Sequence, residues 1–215
     1  MNEKEARAWV ACECEASRET MATLDAFADL LRAENERQNL VSRGTLDHLW
    51  LRHIADSAQL LRLAPAGASW IDLGTGAGFP GLIVAALHDG PVTLVEERRL
   101  RVDFLRRAAD LMGLRIEILH AKAERLPPRP YDVISARAFA PLEKLLSLGT
   151  AFSTQKSLWL LPKGRNADAE LAALDPSWQG DFRLEASVTD PEAQIIVATG
   201  VRRAPPRRVR KDKSR

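Results

Sequence analysis

Cysteine, tyrosine and long apolar runs are scarce in this chain of 215 residues. The only two cysteines, Cys12 and Cys14, stand two positions apart on a predicted helix, so they point to different faces and favour neither a disulfide nor a zinc site. There is no run of about 18 apolar residues and no basic region followed by an apolar one at the start, so no membrane span or secretory signal is predicted. We therefore expect a cytoplasmic protein with reduced cysteines.

The length and composition limit the number of domains. With 215 residues, 46% of them apolar, the chain can bury one core and a small added lobe, but not two full domains. Apolar residues spaced by three and four between positions 20 and 31 predict helices early in the chain. We predict a helical cap at residues 1–65, an α/β catalytic domain at 66–201 and a basic tail at 202–215, which we expect to be disordered when free.

The segment from Trp70 to Gly81 is the most informative about function. It reads Trp-Ile-Asp-Leu-Gly-Thr-Gly-Ala-Gly-Phe-Pro-Gly, an apolar strand that breaks into a glycine-rich loop. Glycine allows a positive φ and lets a ligand lie against the backbone, and the free N–H groups of the next predicted helix face the same crevice. We therefore predict a nucleoside-type ligand bound by residues of this segment, namely Asp72, Gly74, Gly76 and Gly78.

Two ligands are compatible with such a loop. Residues 76–81 match the dinucleotide pattern G-x-G-x-x-G, with Glu96 and Glu97 about 20 residues further on. However, Asp72 stands two residues before the first glycine, where its carboxylate would repel a pyrophosphate. S-adenosylmethionine has no phosphate and carries a cationic amino group and a sulfonium, both of which Asp72 favours. We therefore prefer the methyl donor over the dinucleotide as the cofactor.

The ends of three further predicted strands lie beside the glycine loop, because parallel strands share a carboxyl edge. The second strand ends at Glu96, whose carboxylate can accept both hydroxyls of a ribose. The third leads to Ala123 and Glu124, whose polar groups can pair with an adenine ring. The fourth opens onto Arg137 and Phe139, which we expect on the acceptor side of the transferred methyl.

The order of the predicted elements indicates the fold class. Helices separate most of the strands, and this alternation predicts an α/β fold with a seven-stranded, mostly parallel sheet. The predicted strands lie at residues 70–73, 91–96, 115–120, 131–135, 157–161, 182–187 and 194–201.

An ordered set of motifs makes the chain similar to a known family. The motifs are Asp-Leu-Gly-Thr-Gly-Ala-Gly-Phe-Pro-Gly at 72–81, Ala-Glu at 123–124, Ser-x-Arg-Ala-Phe at 135–139, Lys-Gly at 163–164 and, upstream, Arg-His-Ile-x-Asp-Ser at 52–57. In this order they resemble the ribosomal RNA small subunit methyltransferase G family, also called glucose-inhibited division protein B. The resemblance implies a Rossmann-like class I methyltransferase fold and S-adenosylmethionine as cofactor. The family's cofactor residues fall on Gly74, Phe79, Ala123, Glu124 and Arg137.

The resemblance also implies a reaction. The methyl goes to N7 of the guanine conventionally numbered 527 in 16S rRNA, on naked RNA or on the small ribosomal subunit. Guanine N7 has a lone pair and no proton, so direct in-line transfer needs neither a general base nor a covalent intermediate. Cytosine C5 methylation would need a cysteine nucleophile, and both cysteines lie far before the glycine loop.

Several residues are candidates for RNA contact. Arg137 and Phe139 follow the fourth strand, and Lys163 ends the fifth. The tail at 202–215 holds eight Lys/Arg and one Asp, a surplus of seven, although the whole chain is only +2. This segregation of charge favours a polyanion partner, with Arg207 and Arg208 as contacts.

Other interpretations remain open at this point. A nicotinamide-dependent oxidoreductase could use the same glycines with Glu97, although no Tyr-x-x-x-Lys pair is present, and an RNA-binding protein could keep the fold without turnover. His53 and Asp56, three apart on a predicted helix turn, are interpreted as a structural pair rather than active-site residues. The four histidines are scattered, so we expect no metal site, and we expect a monomer.

Overall fold

The structure, a computed structural model, describes residues 1–205 and is built around one seven-stranded sheet. The strand order is β3-β2-β1-β4-β5-β7-β6, with β7 antiparallel to both neighbours and the other pairs parallel. This confirms the predicted α/β class and the mostly parallel sheet. The strands are β1 Trp70–Leu73, β2 Val92–Glu96, β3 Glu117–His120, β4 Val133–Ser135, β5 Leu158–Lys163, β6 Trp178–Ala186 and β7 Gln194–Arg203.

Helices cover both faces of the sheet. They are α1 Glu3–Glu13, α2 Arg18–Asn35, α3 Arg43–Leu46, α4 Asp56–Ala58, α5 Gly81–Leu87, α6 Arg99–Leu111, α7 Leu142–Gly149 and α8 Ala167–Ala172, with a π-helical segment Trp50–Ala55 leading into α4. Shorter 3-10 turns lie at Gln59–Arg62, Ala123–Arg125 and Thr150–Phe152. Within the part of the chain that the structure describes, none of these helices combines the length and the apolar character needed to cross a membrane.

Successive side chains of a strand point to opposite faces of the sheet, and this divides the core in two. Trp70 and Leu160 belong to one buried cluster, with α5, α6 and the N-terminal helices. Ile71 and Trp159, each one position away, belong to the other cluster, beside α7 and α8. Every residue of β1, β2 and β4 is buried, because helices cover the central strands on both sides.

The N-terminal helices share their core with the sheet. Phe27 of α2 is fully buried, with its ring centroid 5.7 Å from that of Phe79 and 6.4 Å from that of Phe104. An ion pair of 2.7 Å between Glu34 and Arg107 also joins α2 to α6. One buried cluster therefore extends from α1 to the sheet. The division into a cap at 1–65 and a domain at 66–201 stays a prediction.

The predicted elements differ from the observed ones mainly at their ends. The helix predicted directly after the glycine-rich loop is Gly81–Leu87. β6 begins at Trp178, four residues before the predicted start, and β7 continues to Arg203, two residues into the predicted tail. Strand pairing explains this, because β6 and β7 pair as far as Trp178 and Arg203. The ordinary helical turn expected around His53 is a π-helical segment.

Candidate active site

The loop between β1 and α5 is shaped by its glycines. Gly74 and Gly76 have φ values of 67° and 60°, which L side chains rarely adopt. A Cβ on Gly74 would also overlap the ring of Phe139. The loop therefore needs glycine at position 74 both for its backbone conformation and for the close approach of a neighbouring group.

The carboxylate of Glu96 holds this loop from the end of β2. One oxygen accepts from the Gly76 N–H at 3.0 Å and the other from the Arg98 N–H at 2.8 Å. Glu96 is only 4% exposed, and the guanidinium of Arg101 lies 3.8 Å away. A carboxylate offers about four acceptor sites, so Glu96 can accept further hydrogen bonds from a ligand.

A cavity of about 350 Å³ opens beside Glu96, and we call it the glycine-loop cavity. Its volume lies within the range of about 300–1,000 Å³ that is usual for small-molecule sites. Five of the residues predicted to contact cofactor or substrate line it, namely Gly74, Glu96, Ala123, Glu124 and Phe139. The wall thus offers an acid for a diol and polar groups for a base, which suits an adenosine-like ligand.

Asp72 occupies a different position from the one its sequence context suggests. It is fully buried, and its oxygens accept from the Ser135 hydroxyl at 2.7 Å and from the Gly81 N–H at 3.0 Å. Burial raises the pKa of the Asp72 carboxyl, although these hydrogen bonds lower it. Asp72 is not among the residues that line the glycine-loop cavity, and it ties β1 to β4 and to the start of α5. Its direct contact with a ligand stays a prediction.

Phe79 packs against the N-terminal helices through Phe27 and His53. It is 3% exposed and does not line the glycine-loop cavity. Its ring stacks on His53 with centroids 4.9 Å apart, and the Arg137 guanidinium carbon lies 5.0 Å from the ring centre. Phe79 therefore supports Arg137. Gly78, with a φ of 95°, precedes it and packs against Leu82, where a Cβ would clash.

Arg137 is held by three acceptors from one short stretch of helix. Its Nη1 donates to the Arg52 carbonyl at 3.1 Å and to Asp56 Oδ2 at 3.2 Å, and its Nη2 donates to His53 Nδ1 at 2.8 Å. An arginine has five N–H donors. Among the described residues no further acceptor for Arg137 is present, so its Nε hydrogen and one Nη2 hydrogen are available for a ligand.

His53 and Asp56 do not bond to each other in the described part of the chain. Each contacts Arg137 instead, at a sequence separation of 84 and 81 residues. Burial, together with the charges of Arg137 and Arg52, lowers the pKa of His53 to about 3. His53 is therefore neutral at physiological pH. The motif spacing showed that the two residues share a helix face, but gave no sign of their common partner.

A second cavity, of about 590 Å³, lies between the N-terminal helices and the sheet, and we call it the cap cavity. Its lining includes Thr45, His53, Asp56 and Arg137. Ala138 lines both the cap cavity and the glycine-loop cavity, and it adopts a φ of 51°, which is unusual for alanine. Sequence reasoning missed Ala138, because nothing in the residue type signals this conformation.

Lys163 is more constrained than a lysine at a strand end usually is. Its Nζ donates to the Ala140 carbonyl at 3.1 Å and to Glu170 at 2.8 Å, and the side chain is only 11% exposed. It lines a third cavity of about 550 Å³, together with Arg137 and Phe139. A contact between Lys163 and RNA phosphate stays a prediction. Arg207 and Arg208 lie outside the described residues.

Comparison with known proteins identifies the family. The family described as GidB, rRNA small subunit methyltransferase G, matches residues 20–195. The chain is 52% identical over 210 residues to the ribosomal RNA small subunit methyltransferase G of Zymomonas mobilis subsp. mobilis, which covers 94% of this chain and 95% of that protein. It is also 52% identical over 202 residues to the protein of that name from Novosphingobium aromaticivorans, covering 92% and 88%.

Solved structures share the fold at low sequence identity. A SAM-dependent methyltransferase from Aquifex aeolicus superimposes with a TM-score of 0.57 at 15% identity, covering 77% of this chain and 96% of that one. A ribosomal protein L11 methylase from Lactobacillus delbrueckii subsp. bulgaricus gives 0.54 at 16% identity, covering 72% and 79%. With the family match spanning most of its length and relatives more than half identical to it, the chain belongs to the rRNA small subunit methyltransferase G family.

Proposed function

We propose that this chain transfers a methyl group from S-adenosylmethionine to N7 of guanine 527 in 16S rRNA. The observation that carries the proposal is that Ala138, next to Arg137, lines both the glycine-loop cavity and the cap cavity. The first cavity has the groups that an adenosyl ligand needs. The second is large enough for a purine and has an arginine with free donors at its edge.

In this proposal, the residues of the first cavity bind the donor. Glu96 accepts the ribose hydroxyls with its remaining acceptor sites, since its bonds to Gly76 and Arg98 already fix its orientation. Ala123 and Glu124 contact the adenine edge, and the backbone at Gly74 lies against the methionine part. When bound, S-adenosylmethionine supplies an electrophilic methyl group on a sulfonium.

The residues beside the second cavity position the acceptor. Guanine N7 attacks with its own lone pair, so the chain only needs to align nucleophile and methyl, and good alignment contributes about 7–11 kcal/mol. His53 is not available as a base, because its unprotonated nitrogen accepts from Arg137 and burial lowers its pKa to about 3. Arg137 offers its free donors to the guanine edge, to phosphate or to the donor's carboxylate.

The test is methyl transfer onto small ribosomal subunits and naked 16S rRNA that lack the modification, with labelled S-adenosylmethionine. Borohydride and aniline cleave RNA at N7-methylguanine and so map the product. We expect cleavage at guanine 527, and strong loss of transfer in Arg137→Ala. The control is Arg129→Ala, which removes an exposed arginine that lines neither cavity. Calorimetric binding of NAD in place of S-adenosylmethionine, or RNA binding without transfer, would refute the proposal.

A further inference from the structure

We propose that His53 is a positioning residue for methyl transfer, which fixes the Arg137 guanidinium through Nδ1 while Thr45 fixes the tautomer of the imidazole. This inference rests on the proposed function, because a fixed position of the Arg137 guanidinium matters for turnover only if Arg137 takes part in methyl transfer. It concerns residues of the N-terminal helices, whose Arg52 carbonyl and Asp56 carboxylate also hold Arg137.

The direction of each hydrogen bond follows from the chemistry of the groups. Arginine only donates, so the 2.8 Å contact requires His53 Nδ1 to be the acceptor. The neutral ring then carries its proton on Nε2, which lies 2.9 Å from the Thr45 hydroxyl oxygen. The Thr45 hydroxyl donates in turn to the Ser42 carbonyl at 2.9 Å, which leaves its oxygen free to accept. One arrangement of protons thus satisfies every hydrogen bond in the series that links Ser42, Thr45, His53 and Arg137.

Packing restrains the ring in the same orientation. The His53 ring lies nearly parallel to Phe79, with 23° between the planes, and is 8% exposed. Arg137 lies over the same Phe79 ring, so the histidine and the arginine share one aromatic support. Rotation of either group would therefore lose a stacking contact as well as a hydrogen bond.

Protonation of His53 would disrupt this arrangement. A proton on Nδ1 would set a donor against a donor at 2.8 Å and place two cations side by side. Arg52, the other cation beside the ring, pairs with Asp190 at 2.8 Å, and Asp56 is bonded to Arg137 itself. The neutral imidazole is thus the form that is compatible with a fixed arginine.

The position of this contact makes it relevant to turnover. Arg137 has three of its five N–H donors bound by the chain, and these bonds determine where the remaining two point. A misplacement of about 1 Å in a catalytic arrangement can cost about 10²-fold in rate. Loss of the His53 acceptor should therefore lower kcat by about 10- to 100-fold, with a smaller effect on KM.

Three variants of His53 separate the acceptor from the ring. His53→Asn keeps an acceptor at the position of Nδ1, His53→Gln reaches only toward Thr45, and His53→Phe keeps the stacked ring without an acceptor. We expect the asparagine variant to keep kcat within a few-fold of wild type and the other two to lose about 10- to 100-fold. The control is His88→Asn, because His88 lines none of the three cavities described above and its Nε2 lies 2.8 Å from the Ala68 carbonyl oxygen. The control should keep kcat in the folded fraction.

A second pair tests the tautomer. Thr45→Ser keeps the hydroxyl acceptor and Thr45→Val removes it, so serine should preserve kcat and valine should lower it. Nitrogen-15 NMR of the histidine side chains gives a readout that does not depend on activity: wild-type His53 should show an unprotonated Nδ1 and a protonated Nε2. A protonated Nδ1, or wild-type kcat in His53→Phe, would overturn the inference. A wild-type enzyme that transfers no methyl would refute the proposed function and this inference with it, whereas a protonated Nδ1 in an active enzyme would overturn this inference alone.

Discussion

Replacing Glu96 by glutamine tests the proposed cofactor site at the carboxylate that backbone N–H groups hold in place. The carboxylate accepts from two backbone amides, and glutamine has one oxygen for that task. Its NH2 group would face an N–H donor, and a buried amide without a partner costs about 1–3 kcal/mol. We therefore expect Glu96→Gln to lower the free energy of unfolding by about that amount, measured by urea denaturation.

Glu96→Gln should also weaken the binding of S-adenosylmethionine. A hydrogen bond to a charged group contributes about 1.5–3 kcal/mol, and every 1.4 kcal/mol changes an affinity tenfold. Loss of one such bond to the ribose therefore predicts that Kd for S-adenosylmethionine rises by about 10- to 150-fold in calorimetry. S-adenosylhomocysteine and its 2′-deoxy analogue should differ in affinity for wild type and bind the variant with nearly equal affinity.

A matched control is available in the next residue. Glu97→Gln removes an acid that lines the same cavity, but this side chain is 51% exposed and pairs with Lys122 at 3.7 Å. Surface pairs of this kind contribute little, so Kd should change less than threefold. A Kd of Glu96→Gln within twofold of wild type would show that the diol assignment is wrong. An equal loss in both variants would indicate a general charge effect instead.

Three further predictions concern other parts of the chain. Burial raises the pKa of the Asp72 carboxyl in the folded protein above 3.8, so the folded protein binds a proton at this group more tightly than the unfolded chain does. The wild type should therefore gain stability relative to Asp72→Asn as the pH falls through the folded-state pKa. Urea denaturation at several pH values measures this, and an opposite or absent trend would contradict it. Gly74→Ala should lower the free energy of unfolding by about 1–2 kcal/mol and remove most of the affinity for S-adenosylmethionine, because alanine must adopt a positive φ and displace Phe139. Unchanged S-adenosylmethionine binding in calorimetry would contradict this. Deleting residues 206–215, which hold six Lys/Arg and one Asp, should weaken RNA binding and flatten its salt dependence, and equal slopes for both proteins would exclude the tail from the interface.

The sequence predicts those features that depend on local pattern. The runs of buried residues at β1 and β2 and the glycines between β1 and α5 are contiguous in the chain, so their periodicity and backbone requirements can be read directly. The acid at the end of β2 follows from the shared carboxyl edge of parallel strands, and Glu96 does line the cavity expected there.

Features that depend on distant contacts were not accessible in this way. Arg137 and His53 are 84 residues apart, and only the packing of the N-terminal helices on the sheet brings them together. Asp72 has the residue type and position of a ligand-binding acid, yet its partners are Ser135 and Gly81. Whether such a carboxylate points into a cavity or along the sheet depends on tertiary packing, which a one-dimensional pattern does not encode.

Ala138 is a lining residue shared by neighbouring cavities. Ala138 lines the glycine-loop cavity, the cap cavity and the third cavity, which also contains Lys163. A ligand in one cavity that displaces Ala138 would therefore change the space available to a ligand in the other. By thermodynamic linkage, the factor by which the first ligand changes the affinity for the second equals the factor by which the second changes the affinity for the first. The total binding free energy is therefore the same whichever ligand binds first.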